Sequence, residues 1–173
     1  MTLFRPATLL MVQYAHYHRD RRNIATHLLG IPLIVLSVGV LLSGPSLTLA
    51  GEVLTLAWAL WALTSLWYLS RGDVLLGAAT SLVNGVLIAI AHAVPPLAQS
   101  WGVAVWQAGL GLFFIGWVLQ FMGHYFEGRK PAFVDDLVGL LVGPMFVVGE
   151  VLMSLGVLQR MRMDIERQAG ATR

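Results

Sequence analysis

Two polar segments of this chain contain three of its five histidines, and each segment adjoins a long apolar stretch. The first segment carries His18, Asn23 and His27 and leads directly into apolar sequence. The second, residues 124–131, starts with His124 at the end of another apolar stretch. Imidazole is the commonest protein ligand of transition metals. Histidines that collect at the ends of apolar helices therefore predict a metal site.

The composition is that of an integral membrane protein. Of the 173 residues, 57% are hydrophobic and only 12% are charged, and the mean hydropathy is +0.75. Soluble domains carry about 25% charged residues, so we expect one domain that lies mostly in lipid. The chain has no cysteine, which excludes disulfides, thiolate nucleophiles, iron–sulfur clusters and thiolate-ligated haem. The net charge of +2 does not indicate a nucleic-acid partner.

Hydropathy predicts an all-α polytopic helical bundle. A spanning helix needs about 20 apolar residues, and four stretches meet this requirement, at approximately 24–42, 49–69, 74–94 and 101–121. A fifth apolar block, residues 137–158, is interrupted by Gly143-Pro144 and by Gly149-Glu150. Such interruptions predict either a kinked span or a broken, re-entrant hairpin.

The flanking segments are predicted to lie at the membrane surface. Residues 6–17 form a short amphipathic stretch, which predicts an interfacial helix within the N-terminal region 1–23. Residues 159–173 are expected to form a cytoplasmic tail. Asp135 and Asp136 stand where they would cap the last apolar block.

The basic residues predict the orientation of the chain. They precede the first span, follow the fourth, occur once between the second and third, and recur in the tail. The positive-inside rule then places the N-terminus and all 11 basic residues in the cytoplasm. His18, His27 and His124 would share that cytoplasmic face.

His18 and His27 can share a metal only if the chain turns between them. On one unbroken helix their nine-residue separation is about 900°, so the side chains would face opposite sides. Residues 20–23 offer a plausible turn, with Asn23 as the N-cap of the following helix. Without that turn, His16 shares a stripe with Asn23 and His27 and replaces His18 as the candidate.

Three further polar residues have open roles at this point. Glu127 shares a helical face with His124 and could bind the metal or orient an imidazole. Glu150 could line an active cavity or mark the tip of a re-entrant hairpin. His92 ends the third span on the opposite membrane face, where we expect an interfacial side chain.

Two motif blocks extend these observations. They are Tyr14 followed by His18-x4-Asn23-x3-His27-x2-Gly30-x-Pro32, and Gly116-Trp117-x2-Gln120-Phe121-x-Gly123-His124 followed by Phe126-Glu127-x-Arg129-Lys130-Pro131-Ala132. Together they resemble the fungal and bacterial 2-hydroxy-fatty-acid dioxygenase family over about residues 10–160. Members of that family carry a proline where Arg21 stands here, which favours a turn and hence His18 over His16.

The resemblance implies an enzyme that uses Fe(II) and O2 in fatty acid α-oxidation. It would cleave the C1–C2 bond of a long-chain 2-hydroxy fatty acid, giving CO2 and a fatty acid one carbon shorter. The expected Fe(II) ligands are His18, His27 and His124, with His16 and Glu127 in reserve. Asn23 and Glu127 would orient the ligands from behind. The expected charge clamp for the substrate carboxylate is Arg129, Lys130 or Arg22.

Two other classes of function are consistent with the sequence. A bis-histidine haem protein would place its ligands on facing helices, deep in the bundle. A non-catalytic adaptor or transporter is the other alternative, although no inverted repeat is visible. Short loops favour a bacterial inner membrane, and the fungal relatives would fit the endoplasmic reticulum. Membrane lipid is an expected partner, and a homo-oligomer is possible on this sequence.

Overall fold

The fold is that of an all-α polytopic membrane protein with one short β-hairpin. The computed structural model describes residues 3–49, 51–131 and 137–173. Its helices are α1 Ala7–Ala15, α2 Arg21–Leu42, α3 Leu56–Leu69, α4 Val74–Ala91, α5 Val94–Ser100, α6 Val105–Glu127, α7 Val138–Ser154 and α8 Gln159–Ala169. Strands β1 Ser46–Leu49 and β2 Glu52–Thr55 pair antiparallel between α2 and α3. The predicted caps Asp135 and Asp136 lie outside the described residues.

Among the described residues, three helical segments are long and apolar enough to cross a membrane: α2, the segment Val74–Ser100 and α6. The bent pair of α7 and α8 would be a fourth span if it is counted as one. The third predicted span, residues 74–94, corresponds to α4, which ends at Ala91. Pro95-Pro96 follow in the first turn of α5, where no intrahelical N–H bond is needed. The fourth predicted span, residues 101–121, is shifted towards the C-terminus, because α6 begins at Val105 and continues to Glu127.

The second predicted span, residues 49–69, differs from the structure. Only the 14 residues of α3 are helical there, which is short of the length that a perpendicular span needs. Residues 52–55 form β2, and Gly51 supplies the positive φ of +86° in the turn before it. Thr55 then caps α3 by accepting a hydrogen bond from the backbone N–H of Trp58. Hydropathy alone did not separate this hairpin from a helix.

The chain does turn between α1 and α2, but at residues 16–20 and not at the predicted residues 20–23, and the predicted N-cap is wrong. Helix α1 ends at Ala15, and α2 starts at Arg21 with Asp20 as its N-cap. The Asp20 carboxylate accepts from the backbone N–H and the guanidinium of Arg22, and these bonds lower its pKa to about 2. Asn23 therefore lies inside the helix, where its side chain is available for other contacts.

Helices α2 and α6 form a close antiparallel pair. The contact follows glycines on α6 at seven-residue intervals, Gly109, Gly116 and Gly123, each of which lies against the backbone or side chains of α2. A Cβ on Gly116 would lie 3.0 Å from the backbone oxygen of Gly30. Seven residues are about two helical turns, so these glycines form one stripe. Small residues let membrane helices approach closely in this way.

Helix α7 is continuous through both predicted interruptions. It contains Gly143-Pro144 and Gly149-Glu150, and the break comes later, where α8 turns away by 113°. Membrane helices tolerate proline when neighbouring groups satisfy the freed backbone. Pro131 and Glu150 both lie near the histidines, whereas Leu141 contacts a cavity deep in the bundle. The 113° bend between α7 and α8 is typical of a broken span or of a re-entrant loop, so both forms predicted for this block are consistent with the structure.

Helix α1 is present where an interfacial helix was predicted, but it packs inside the protein. Leu10 and Met11 are fully buried, and the helix contacts α7 and α8. Helix α8 covers it with Met161 and Ile165 and exposes its charged residues. The predicted tail is therefore largely helical, and it shields the segment that leads to His18.

Candidate metal centre

Three imidazoles converge at one end of the bundle. His18 lies in the turn between α1 and α2, His27 in the second turn of α2, and His124 in the last turn of α6. Their exposed fractions are 0%, 1% and 6%. The Nε2 atoms of His18 and His27 are 3.0 Å apart, and one ligand atom from each of the three rings lies within 4.8 Å of the others.

Two of the rings have a fixed tautomer. The Nδ1 of His18 is 2.7 Å from the backbone oxygen of Tyr14, and the Nδ1 of His27 is 2.9 Å from that of Asn23. A carbonyl oxygen can only accept, so each Nδ1 carries the proton and donates it. In a neutral ring the Nε2 then presents a lone pair. The two Nε2 lone pairs therefore face each other.

A cation between these lone pairs relieves their repulsion, and a metal ion fits better than a proton. Burial holds the pKa of His18 well below its ordinary value, and the electrostatic effect of the neighbouring His27 lowers it further. A ring that resists protonation stays in the neutral form that binds metals. Three neutral imidazoles without a thiolate suit Fe, Zn, Cu or Ni. A histidine that binds a metal usually donates its other ring N–H to an acceptor such as a backbone oxygen, as both Nδ1 atoms do here.

Aromatic side chains fix the orientation of His18. The Tyr14 ring stacks on the imidazole with a centroid separation of 4.1 Å and an interplanar angle of 4°. Phe146 of α7 packs against both rings, at 4.9 Å from Tyr14 and 5.3 Å from His18. Tyr14 is buried, and this burial raises the pKa of its phenol. The wall behind His18 is thus apolar and uncharged at neutral pH.

Glu127 stabilises the turn that carries His18, and it lies outside the three-histidine group. Its Oε2 accepts from the backbone N–H groups of Arg19 at 2.9 Å and Asp20 at 2.7 Å, and from the Asn23 Nδ2 at 3.1 Å. The same Asn23 amide donates to the backbone oxygen of Tyr17 at 3.0 Å. Glu127 and Asn23 therefore hold the ends of the turn together, which matches the orienting role considered for both.

Two arginines tie other elements to this turn. Arg173 contacts Glu127 through its guanidinium at 3.3 Å, and its backbone pairs with Arg19 and Arg21 at 2.7 and 2.9 Å. Arg19 lies 3.6 Å from Glu150 of α7 in an ion pair that is largely buried. Glu150 thus neither lines the histidine cavity nor marks a tip. It anchors α7 to the turn before α2.

The remaining predicted site residues lie on the rim. His16 is exposed and contributes no ring atom to the three-histidine group. Arg129 donates to the backbone oxygen of His16 at 2.6 Å, and Arg22 pairs with Asp20 and covers the Phe126 ring. Arg22, Arg129 and Lys130 are exposed and do not line the histidine cavity. Pro131, which follows Lys130, does line it.

Two cavities adjoin each other, and the first of them is lined by two of the three histidines. The first, of about 70 Å³, is lined by His27, His124 and Gln120 together with apolar residues. The second, of about 350 Å³, is mainly apolar and lies between α2, α3, α4, α6 and α7. The two share one wall, formed by Ile34, Val35, Trp117, Leu140 and Pro144. An apolar space therefore extends from the imidazoles towards the middle of the bundle.

Sequence reasoning missed two contributors to the site. Gln120 was only part of a motif, although its spacing of four residues from His124 puts both on one face of α6. The ion pair between Arg19 and Glu150 had no local signal, because its partners are 131 positions apart in the sequence. Helical spacing could have found the first, and only the tertiary structure reveals the second.

Comparison with known proteins agrees with this architecture. The family model described as "2-hydroxy-palmitic acid dioxygenase Mpo1-like" matches residues 4–155. The chain is 32% identical over 155 residues to the 2-hydroxy-palmitic acid dioxygenase MPO1 of Saccharomyces cerevisiae, covering 88% of this chain and 83% of the yeast protein. No solved structure matches the chain. The chain belongs to the 2-hydroxy-palmitic acid dioxygenase Mpo1-like family.

Proposed function

We propose that this protein is an Fe(II)- and O2-dependent dioxygenase that cleaves the C1–C2 bond of long-chain 2-hydroxy fatty acids. The products would be CO2, water and a fatty acid one carbon shorter, which balances the substrate and one O2 without a further reductant. The observation that carries the proposal is the buried group of three facing imidazoles beside an apolar cavity. The name of the yeast relative supports the substrate class.

His18, His27 and His124 would hold the metal. When bound, Fe(II) supplies the redox chemistry with O2 and, with three protein ligands, keeps coordination positions open for substrate. Tyr14 and Phe146 keep the His18 ring in place and exclude water from behind it. Glu127 and Asn23 preserve the turn on which His18 depends. The 3.0 Å approach of His18 to His27 leaves no space for a porphyrin between them, so the haem alternative is not favoured.

The apolar cavity would receive the acyl chain of the substrate. It adjoins the histidine cavity through a shared wall of five residues, so a chain entering it would leave its carboxyl end beside the imidazoles. Transfer of methylene groups from water to such a space is favourable by about 0.8 kcal/mol each. This placement explains why a long apolar substrate would bind with its reactive end at the three-histidine group.

The exposed basic residues at the rim would attract the substrate carboxylate. Arg129 and Lys130 directly precede Pro131, which lines the histidine cavity, and Arg22 lies nearby over Phe126. They would act through a positive electrostatic potential at the cavity mouth, because Arg22 and Arg129 already contact other groups. With the basic residues on the cytoplasmic side, the active site would open to the cytoplasm.

The test is metal and product analysis of detergent-purified protein. After anaerobic loading with Fe(II), we expect about one iron per chain, since three imidazoles can hold a single ion. Addition of O2 and 2-hydroxypalmitate should yield pentadecanoate and CO2, whereas palmitate should yield neither. Protein that binds iron but leaves 2-hydroxypalmitate intact would contradict the proposed reaction. Protein that binds no iron would contradict the metal centre itself.

A further inference from the structure

Gln120 carries a side-chain amide that is buried in the contact between α2 and α6, next to the histidine cavity. Its side chain is 5% exposed, and its Nε2 is buried without a hydrogen-bond partner among the described residues. Burying such a donor unpaired is unfavourable, and an orphaned group of this kind calls for an explanation. Gln120 also lines the same cavity as His27 and His124.

The position of this amide is set by the close packing of α2 and α6. Gln120 precedes His124 by four residues, so its Cα lies about 6 Å further along the helix axis, away from the rim. The amide lies directly over Gly30 of α2, where an added Cβ would collide with Nε2. The same Cβ would lie 2.9 Å from the backbone oxygen of Gly116. The space above Gly30 is therefore occupied by the Gln120 amide.

The order of groups along the cavity suggests what the amide contacts. The basic residues lie at the rim, His124 and Gln120 line the histidine cavity one turn apart on α6, and Trp117, about one turn further on, lines both cavities. A 2-hydroxy fatty acid bound in this direction presents its carboxylate first, then its C2 hydroxyl, then its alkyl chain. The donor thus falls where the second polar group of the substrate would lie. An uncharged amide suits an uncharged hydroxyl oxygen.

We propose that Gln120 is a specificity-determining residue that donates a hydrogen bond from Nε2 to the C2 hydroxyl oxygen of the substrate. The inference rests on the proposed function, because it takes a 2-hydroxy fatty acid as the ligand. A fatty acid without the hydroxyl would leave the donor unpaired, and sites built to bind a hydroxyl reject such analogues. Gln120 would then contribute to the choice between hydroxylated and plain fatty acids independently of the iron content.

The test measures binding without turnover. Fe(II)-loaded protein in detergent, kept under argon, is titrated with 2-hydroxypalmitate and with palmitate, and the ratio of the two dissociation constants is compared. Gln120→Met removes the donor but keeps a side chain of similar length. Gln120→Leu provides a second variant of different shape, should the first not fold. Gln107→Leu, in the first turn of α6 at the opposite end of the helix, is the matched control.

We expect Gln120→Met to lower the preference for 2-hydroxypalmitate roughly tenfold, which is the effect of one lost hydrogen bond. Its affinity for palmitate and its iron content should be unchanged, and Gln107→Leu should behave as the wild type. If a folded, iron-loaded Gln120 variant keeps the full preference, the inference is wrong while the proposed function stands. If the wild type itself shows no preference and forms no pentadecanoate, both fail together.

Discussion

The two ends of the bundle both contain buried or half-buried histidine, but in opposite chemical situations. At one end His18 and His27 direct their Nε2 atoms at each other, 3.0 Å apart. At the other end His92 has a local partner for each ring nitrogen, the Ile88 backbone oxygen at 2.8 Å and the Thr55 hydroxyl at 3.0 Å. It also stacks on Trp58. Both ring nitrogens of His92 are thus satisfied by the protein alone.

The difference shows that proximity to a membrane surface does not make a histidine a ligand. What separates the two ends is whether the polypeptide satisfies the ring nitrogens. The Thr55 hydroxyl can donate or accept, so the His92 ring needs no cation. At the three-histidine end, backbone oxygens accept hydrogen bonds from the Nδ1 atoms of His18 and His27 and leave the two Nε2 lone pairs facing each other. The comparison therefore predicts different outcomes for the same substitution at the two ends.

Alanine substitution of a clustered histidine should have the largest effect. His27→Ala removes one of the three proposed ligands, and we expect loss of bound iron and of detectable product formation. His92→Ala is the matched control, which should keep both the iron and the activity. Iron analysis after anaerobic loading and pentadecanoate release measure the two properties. Loss of iron in the His92 variant, or its retention in the His27 variant, would remove the distinction between the two ends.

Substitution of Glu127 should weaken the metal centre without removing a ligand. Glu127→Ala leaves the backbone N–H groups of Arg19 and Asp20 without their acceptor, so the turn that carries His18 should loosen. Loss of such supporting contacts typically lowers metal affinity by about 10- to 100-fold. Competition with a chelator measures this change. Glu166→Ala, which breaks an exposed ion pair on α8, should leave the affinity unchanged, and an equal loss there would indicate a general folding defect.

The glycine stripe offers a test of the scaffold beneath the ligands. In Gly123→Ala, the new Cβ would collide with Thr26 and approach the Asn23 Oδ1 to 2.5 Å, and overpacking of this kind costs about 1–3 kcal/mol. In Gly111→Ala on the same helix, the Cβ meets nothing within 4 Å, so the variant should be at least as stable as the wild type. Thermal unfolding in detergent compares the two. Equal stability would mean that the close contact is not needed.

The smallest expected effect concerns the rim. Arg129→Gln removes one exposed charge at the cavity mouth, and exposed charges contribute about 0–1 kcal/mol. We expect a rise in KM for 2-hydroxypalmitate of at most a few fold, with kcat unchanged, and a weaker dependence of KM on salt. Arg160→Gln, at an exposed position in the first turn of α8, is the control. A large fall in kcat would instead place Arg129 in the reaction.

The sequence predicted those features that depend on local pattern. The apolar stretches predicted α2, α4 and α6, and the family resemblance favoured the turn that brings His18 to His27. The β-hairpin before α3 was missed because hydropathy reports burial in lipid and not backbone conformation. The roles of Glu127 were left open because two of its partners are backbone N–H groups, which every residue possesses. The ion pair of Arg19 with Glu150 depends on packing between distant elements.

The seven-residue spacing of glycines on α6 has a consequence for how the site can change. One face of this helix carries Gly109, Gly116 and Gly123 and is followed at once by His124 and Glu127. Insertion or deletion of a single residue within the stripe would rotate everything beyond it by about 100°. Such a change would turn both His124 and Glu127 away from α2 at the same time. Length variation in this chain should therefore lie outside the stripe, while α6 between Gly109 and His124 keeps the same residue count.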